Sequence, residues 1–286
     1  MIDPNVVANA VMLSALYALI AIGFTMIFGI GGILNIAHGA SITFGGFSAF
    51  YVSQTFGMSP WIGALAALLV PGVFSTAIYL GLIRRVEDDP IVVIIITLLI
   101  LLIVERGFLA LEGSEGKVVP HLISGSLDLG WVSVGWNRLL AFVTSWVLII
   151  GLLYFVERTR TGNAIRALSM SERGSALVGI DEFRVKLMTW FIAGMMAGAA
   201  GLFLSTFRTA SWDMALDPLL LAFAIVILGG MGSIRGSVIA AYIIGTIEVL
   251  TATYIDSRLT GLAAFTILVI ILLVKPEGLF GHAEVD

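Results

Sequence analysis

Long apolar blocks, each close to the length of a bilayer-crossing helix, alternate along this chain with short polar segments. Eight blocks are candidate spans: Val6–Ile30, Pro60–Ile83, Pro90–Leu111, Leu139–Val156, Leu187–Phe207, Pro218–Leu228, Ser237–Tyr254 and Leu259–Val274. A hydrocarbon core about 30 Å thick takes about 20 apolar residues per helix, and a helix satisfies its own backbone polar groups there. Pro218–Leu228 is too short for this unless Gly229–Gly232 continues it. A further stretch, Ile33–Phe56, is apolar but interrupted by Asn35, His38, Gly39, Gly45 and Gly46. The pattern predicts an all-α, polytopic membrane protein, a single transmembrane domain over residues 1–286 with eight to nine transmembrane helices, some of them broken.

Composition agrees with this class and removes others. Of 286 residues, 59% are hydrophobic and 12% charged, where a soluble domain carries roughly 25% charged residues. Water cannot solvate that surplus of apolar surface, so a soluble enzyme is excluded. With Cys at 0 there is no disulfide framework, thiolate metal site or cysteine nucleophile. A net charge of -4 and the lack of a basic run argue against nucleic acid. The start, Met1-Ile2-Asp3-Pro4-Asn5, lacks the basic n-region of a signal peptide, so the first apolar run reads as a retained helix. His38, His121 and His282 are too scattered for a local metal site, and no Walker A, Gly-x-Ser-x-Gly or His-Glu-x-x-His text occurs. The expectation is no catalytic residue, no metal and no cofactor in this chain.

The basic residues are unevenly placed. Arg84, Arg85, the six between Glu157 and Lys186, Arg235 and Lys275 fall on one side if the blocks alternate. Lys117, Arg138, Arg208 and Arg258 fall on the other, which marks the first side as cytoplasmic. Nine crossings then put the N-terminus outside, whereas eight force both termini to one side. The outer segment Glu112–Asn137, with Trp131 and Trp136, suits a headgroup-level cap or a docking surface for an external partner.

Residues 157–186 hold ten charged side chains, close to a third of all of them. Thr161 or Asn163 can cap a helix carrying Ile165, Leu168 and Met170, and Ser171 a second, short one with Ala176 and Leu177. Gly179 suits the end of that helix and Asp181 the cap of the next span. This is a structured cytoplasmic knob whose small residues Ser175, Ala176 and Gly179 permit close contact with a partner protein.

Four stretches together carry a resemblance. Thr161-Gly162-Asn163-Ala164-Ile165-Arg166-Ala167 with Ala176-Leu177-Val178-Gly179-Ile180-Asp181 is similar to the ATPase-coupling loop of ABC importer permeases. Phe28-Gly29-Ile30 with Leu34-Asn35-Ile36-Ala37-His38-Gly39, Leu228 to Gly236, and Lys275 to Gly281 agree in order and spacing. Over nearly its whole length the chain resembles the branched-chain amino acid permease family of ABC importers, of the LivH type. Gly174-Ser175 stands where an Ala pair is frequent in that family, and Arg235 where many relatives have Pro. The resemblance implies a multi-pass subunit in a prokaryotic cell membrane. It also implies a homologous second permease, two ATP-binding cassette subunits carrying ATP–Mg, and an extracellular or periplasmic substrate-binding protein. Gly162, Arg166, Ser175, Ala176, Gly179 and Asp181 would make the ATPase contact.

Polar groups in the apolar blocks mark the expected path, because lipid does not solvate them. Asn35 and His38, three apart, would share a helix face beside Gly39, either lining the path or only tying neighbouring helices by hydrogen bonds. Gly229–Gly236, with Gly230 and Gly232, is a second interrupted stretch in the other half, and the likeness of Gly29–Gly32 to Gly229–Gly232 suggests an inverted repeat. Glu248 sits in an apolar span as a protonated and silent, a paired or a lining acid, and Glu105 and Arg106 lie near a span end. Gly194, Gly198 and Gly201 form a small-residue face for helix packing. Two rival functions stand beside an amino acid importer subunit: a related permease for urea, short amides or sugars, and a self-contained ion-coupled carrier relying on an acid such as Glu248.

Overall fold

A computed structural model describes residues 3–280; residues 1–2 and 281–286, with Gly281 and His282, lie outside the described residues. The chain forms eleven α-helices and one small hairpin among those residues. The first half comprises α1 (Pro4–Gly31), α2 (His38–Phe50, widening into a π-turn over Tyr51–Thr55), α3 (Pro60–Gly81) and α4 (Pro90–Glu112). The hairpin of β1 (Ser126–Asp128) and β2 (Ser133–Gly135) leads into α5 (Trp136–Arg158) and the short α6 (Arg160–Met170) and α7 (Glu172–Leu177). The second half comprises α8 (Glu182–Phe207), α9 (Leu216–Gly229), α10 (Ile234–Tyr254) and α11 (Thr260–Val274). Capping residues start most of these helices: the side chains of Asp3, Ser59, Asp89, Asp181 and Ser233 each accept from a first-turn N–H.

Seven helical segments are long and apolar enough to cross a membrane. Two further passages are half helix and half irregular chain. In the first, α1 ends at Gly32, whose left-handed φ of +61° lets its N–H donate to Phe28 at 2.8 Å. Residues 33–37 then run back along α1 without helical structure, and α2 begins only beside Ile20. In the second, residues 208–215 are irregular and α9 begins beside Gly39 of α2. The expected eight or nine crossings therefore resolve into seven whole helices and two broken passages. The second break lies ahead of α9, not at Gly229–Gly236 as expected; Gly230–Ser233 is a tight turn joining α9 to α10.

The two halves are inverted repeats. The order long helix, broken passage, helix, helix occurs as α1–α4 and again, running the opposite way, as α8–α11. Contacts follow the same rule: α1 packs along α10, and α3 along α8. The extra crossing α5, followed by α6 and α7, turns the second half over. Gly29–Gly32 and Gly229–Gly232 are not equivalent in this repeat, contrary to the sequence expectation. The first ends a long helix and the second ends a broken passage; they are contact partners, with Gly232 lying against Gly29.

Helices α1 and α8 form the buried centre. Two of the three glycines expected as a packing face permit the closest approaches. A methyl group on Gly201 would overlap the Ile42 carbonyl, and one on Gly198 the Ala67 carbonyl, so α8 sits backbone to backbone against α2 and α3. The C-terminal stretch after Lys275 has a structural task. The N–H groups of Leu279 and Phe280 donate to the Leu228 and Gly229 carbonyls at 2.8 and 3.1 Å, closing the end of α9.

Contacts also sort the faces. Ser133 N–H donates to Asn5 at 2.9 Å and Asp3 N–H to the Tyr254 hydroxyl at 3.2 Å, so the N-terminus shares a face with the hairpin and the end of α10. Arg235 pairs with Glu157 on the opposite face, which carries α6 and α7. The arginine-rich face is the inner one by its charge.

Candidate functional site

The N-termini of α2 and α9 meet deep inside the structure, where Gly39 lies against Leu219 of α9 and Leu101 of α4. Neither start has a capping side chain; Ala37 and Ala215 occupy the cap positions. One freed N–H, that of Ile36, donates to the Thr97 hydroxyl of α4 at 3.2 Å. Two helix N-termini converge there, the first N–H groups of α2, those of His38 and Gly39, being taken by the Asn35 and Ile36 carbonyls at 3.2 Å each. His38 is fully buried, its Nε2 hydrogen-bonded to the Ile20 carbonyl at 3.1 Å and its ring edge-on to Phe24. Asn35 precedes α2 rather than sharing a helical face with His38, and its carbonyl accepts from the His38 N–H at 3.2 Å. The same-face expectation fails because the helix starts three residues later than the polar spacing suggested. Asn35 Oδ1 and His38 Nδ1 are buried without a hydrogen-bond partner among the described residues.

A charged surface flanks this junction. Arg106 of α4 is exposed with its guanidinium 5.2 Å from the Trp212 ring, and Asp213 and Asp217 are exposed on the approach to α9 and its first turn. Arg106 stands about 9 Å before the outer end of α4, whereas Asp217 lies about 18 Å from the inner end of α9, well within a bilayer's thickness. An exposed charge as deep as Asp217 faces water or protein, not lipid, while Arg106 lies within reach of the outer interface. Glu105 points the other way, in the buried stripe of Val93, Thr97, Leu101 and Phe108. Sequence reasoning assigned Asp213 and Asp217 nothing, since the apolar block appeared to begin at Pro218. The signal was present in acids immediately preceding a block too short to span.

Other expected path residues sit elsewhere. Glu248 is buried in the seam of α1 and α10, where the Tyr17 hydroxyl donates to its Oε1 at 2.8 Å. Gly230 and Gly232, with φ of +96° and +84°, form the inner turn between α9 and α10. That turn, the end of α1 and residues Leu168–Glu172 enclose an open cleft of about 650 Å³.

The inner face carries a knob of two short, capped helices. Thr159, not Thr161 or Asn163, caps α6 by accepting from Gly162 N–H at 3.0 Å, because the helix begins at Arg160. Gly162 lies tight on the backbone of Phe155 and Val156, while exposed Arg166 donates to Asn163 at 2.6 Å. Ser171 caps α7 by accepting from Gly174 N–H at 3.0 Å. Ser175 is buried with its hydroxyl donating to the Glu172 carbonyl at 2.8 Å, so it braces the knob rather than facing a partner. Ala176 is exposed, Gly179 turns the chain with a φ of +78°, and Asp181 caps α8. At the tip, Met170, Leu177 and Val178 are 86%, 88% and 75% exposed. Beside the knob, burial raises the Glu87 carboxyl above the usual carboxylate range, with the Lys186 ammonium opposing it.

Whole and broken crossings around a converging pair of helix ends, with a charged face at membrane depth, define a multi-pass membrane permease. The chain belongs to the family described as branched-chain amino acid transport system, permease component, which matches residues 6–274. It is therefore a transporter component of the cell membrane rather than a catalytic enzyme. The high-affinity branched-chain amino acid transport system permease protein LivH of Salmonella typhimurium is 28% identical, covering 97% of this chain and 95% of its own. The fructose import permease protein FruF of Bifidobacterium longum is 26% identical, covering 91% of this chain and 74% of its own. A solved structure, PsaBC from Streptococcus pneumoniae in complex with Fab, matches with a TM-score of 0.52 at 12% identity. It covers 96% of this chain and 94% of that chain, a likeness of fold alone.

Proposed function

We propose that this chain is the permease subunit of an ATP-driven importer of branched-chain or other hydrophobic amino acids. It forms the translocation path with a homologous permease and receives substrate from an external binding protein. Two ATP-binding subunits, carrying ATP–Mg, grip the knob over residues 161–181 on the inner face. The observation that carries this reading is the apolar tip of Met170, Leu177 and Val178 on an otherwise charged, capped segment. Water-exposed apolar side chains on a capped, otherwise charged segment are suited to burial in a partner's groove. ATP-driven closure of the partners would tilt the inner ends of the helices and alternate access at the α2–α9 junction.

Similarity to LivH supports an amino acid substrate, and similarity to FruF supports a sugar as the second reading. Arg106, Asp213 and Asp217 favour the first, because charges of both signs along the path suit a zwitterion and a sugar has neither. Reconstitution into liposomes with the second permease and binding protein, with and without ATP-binding subunits, tests the proposal. ATP-dependent leucine uptake is the expected result; uptake without any ATPase would overturn it in favour of an ion-coupled carrier.

A further inference from the structure

Lys186 stands in the second turn of α8 with its side chain only 6% exposed, and three carboxylates share its ammonium. Glu182 of the same helix is 2.5 Å away, Glu87 of the α3–α4 connection 3.3 Å and Glu172 of α7 3.4 Å. One acid would neutralise the lysine, and Glu182, one helical turn away, already does so. The two others come from separate elements, and three acids on one cation leave surplus negative charge that the cluster must tolerate. An ammonium has three N–H donors, so each carboxylate can take one.

The location gives this arrangement a consequence. Helix α7 buries only Ser175 and has few other ties to the membrane helices. The Lys186 side chain, with Thr189 and Trp190, borders the same small cavity as Ile30, Gly31 and Ile33, where α1 gives way to the first broken passage. Glu87 lies three residues before α4, the helix that carries Thr97 and Arg106.

We propose that Lys186 is a positioning residue that carries movement of α7 into the membrane, by holding Glu172 and Glu87 on one buried ammonium beside the α1–α2 break. This rests on α7 being the ATPase contact. Glu182 moves with Lys186 and transmits nothing.

The natural absence of cysteine provides the test. A full-length Leu34→Cys chain, in complex with its ATP-binding subunits in liposomes, reports movement at the break as the rate of labelling by a maleimide with and without ATP–vanadate. The expected result is a nucleotide-dependent change of about fivefold, the scale that one partly screened charge pair supports. Glu172→Gln or Glu87→Gln should abolish the change while the ATP-binding subunits remain bound, and the double variant should add nothing further. Glu182→Gln should leave it intact. Failure of the ATP-binding subunits to co-purify with the unmodified chain would refute the docking reading and this inference with it. Normal co-purification overturns the tether alone if no nucleotide response occurs, if it persists in Glu172→Gln, or if Glu182→Gln removes it equally.

Discussion

Replacing Leu177 and Val178 together by serine is the sharpest test of the inner-face knob. Both side chains project from the end of α7 with 88% and 75% of their surface in water, so the subunit itself gains almost nothing from them. Surface substitutions of that kind change fold stability by about 0.5 kcal/mol or less. Burial in a partner is another matter. Full burial of one such side chain is worth about 1.5–3 kcal/mol, and nearly all of that remains to be gained here. Allowing for incomplete closure of the groove, the pair contributes about 3 kcal/mol, a loss of roughly 150-fold in affinity on substitution. The assay is titration of the detergent-solubilised chain with its ATP-binding subunits, alongside thermal unfolding of the chain alone. Affinity reduced by less than about threefold, with an unchanged unfolding temperature, would refute the reasoning: the knob would then not be the contact.

Gly179→Arg should also abolish co-purification of ATP-binding subunits; its surroundings are open, so any loss of fold is confined to the strain of its positive φ, about 1–2 kcal/mol. Gly201→Val should prevent α8 from seating on α2, because the added carbons meet the Ile42 carbonyl; a cost of about 3 kcal/mol or more should appear as aggregation or a lowered unfolding temperature, while Gly261→Ala, in open space, should not. Asp217→Asn should reduce leucine uptake by about tenfold with assembly intact, whereas an unchanged rate would remove the charged face from the path. Glu248→Gln keeps an acceptor for the Tyr17 hydroxyl, so ATP-driven uptake should stay within about threefold of the parent; complete loss would revive the ion-coupled carrier.

Much of the molecule was legible in its apolar blocks. Each whole crossing coincides with a block, since length and hydropathy alone decide whether a helix can satisfy itself in lipid. The Ser171 and Asp181 caps and the Gly179 turn were also readable, because capping depends on one side chain and the N–H groups two or three residues on. The knob's surroundings were not. Thr159 rather than Thr161 caps α6, and Ser175 turns inward, because neighbouring helices choose which competent residue is used.

The broken passages mark the boundary most clearly. Asn35, His38 and the glycines announced that residues 33–56 could not be one plain helix, and charge placement oriented the chain in the bilayer. That a second break at residues 208–215 lies opposite the first came only from the fold, since nothing in a single strip of residues encodes which segment meets which. The same holds for the repeat, where α1 and α8 exchange partners α10 and α3, and for Lys186, whose acids lie 14 and 99 residues away along the chain. Local composition determines solvent, helix and cap, as these depend on near neighbours; the path and the tether are made of distant residues, and packing alone brings those together.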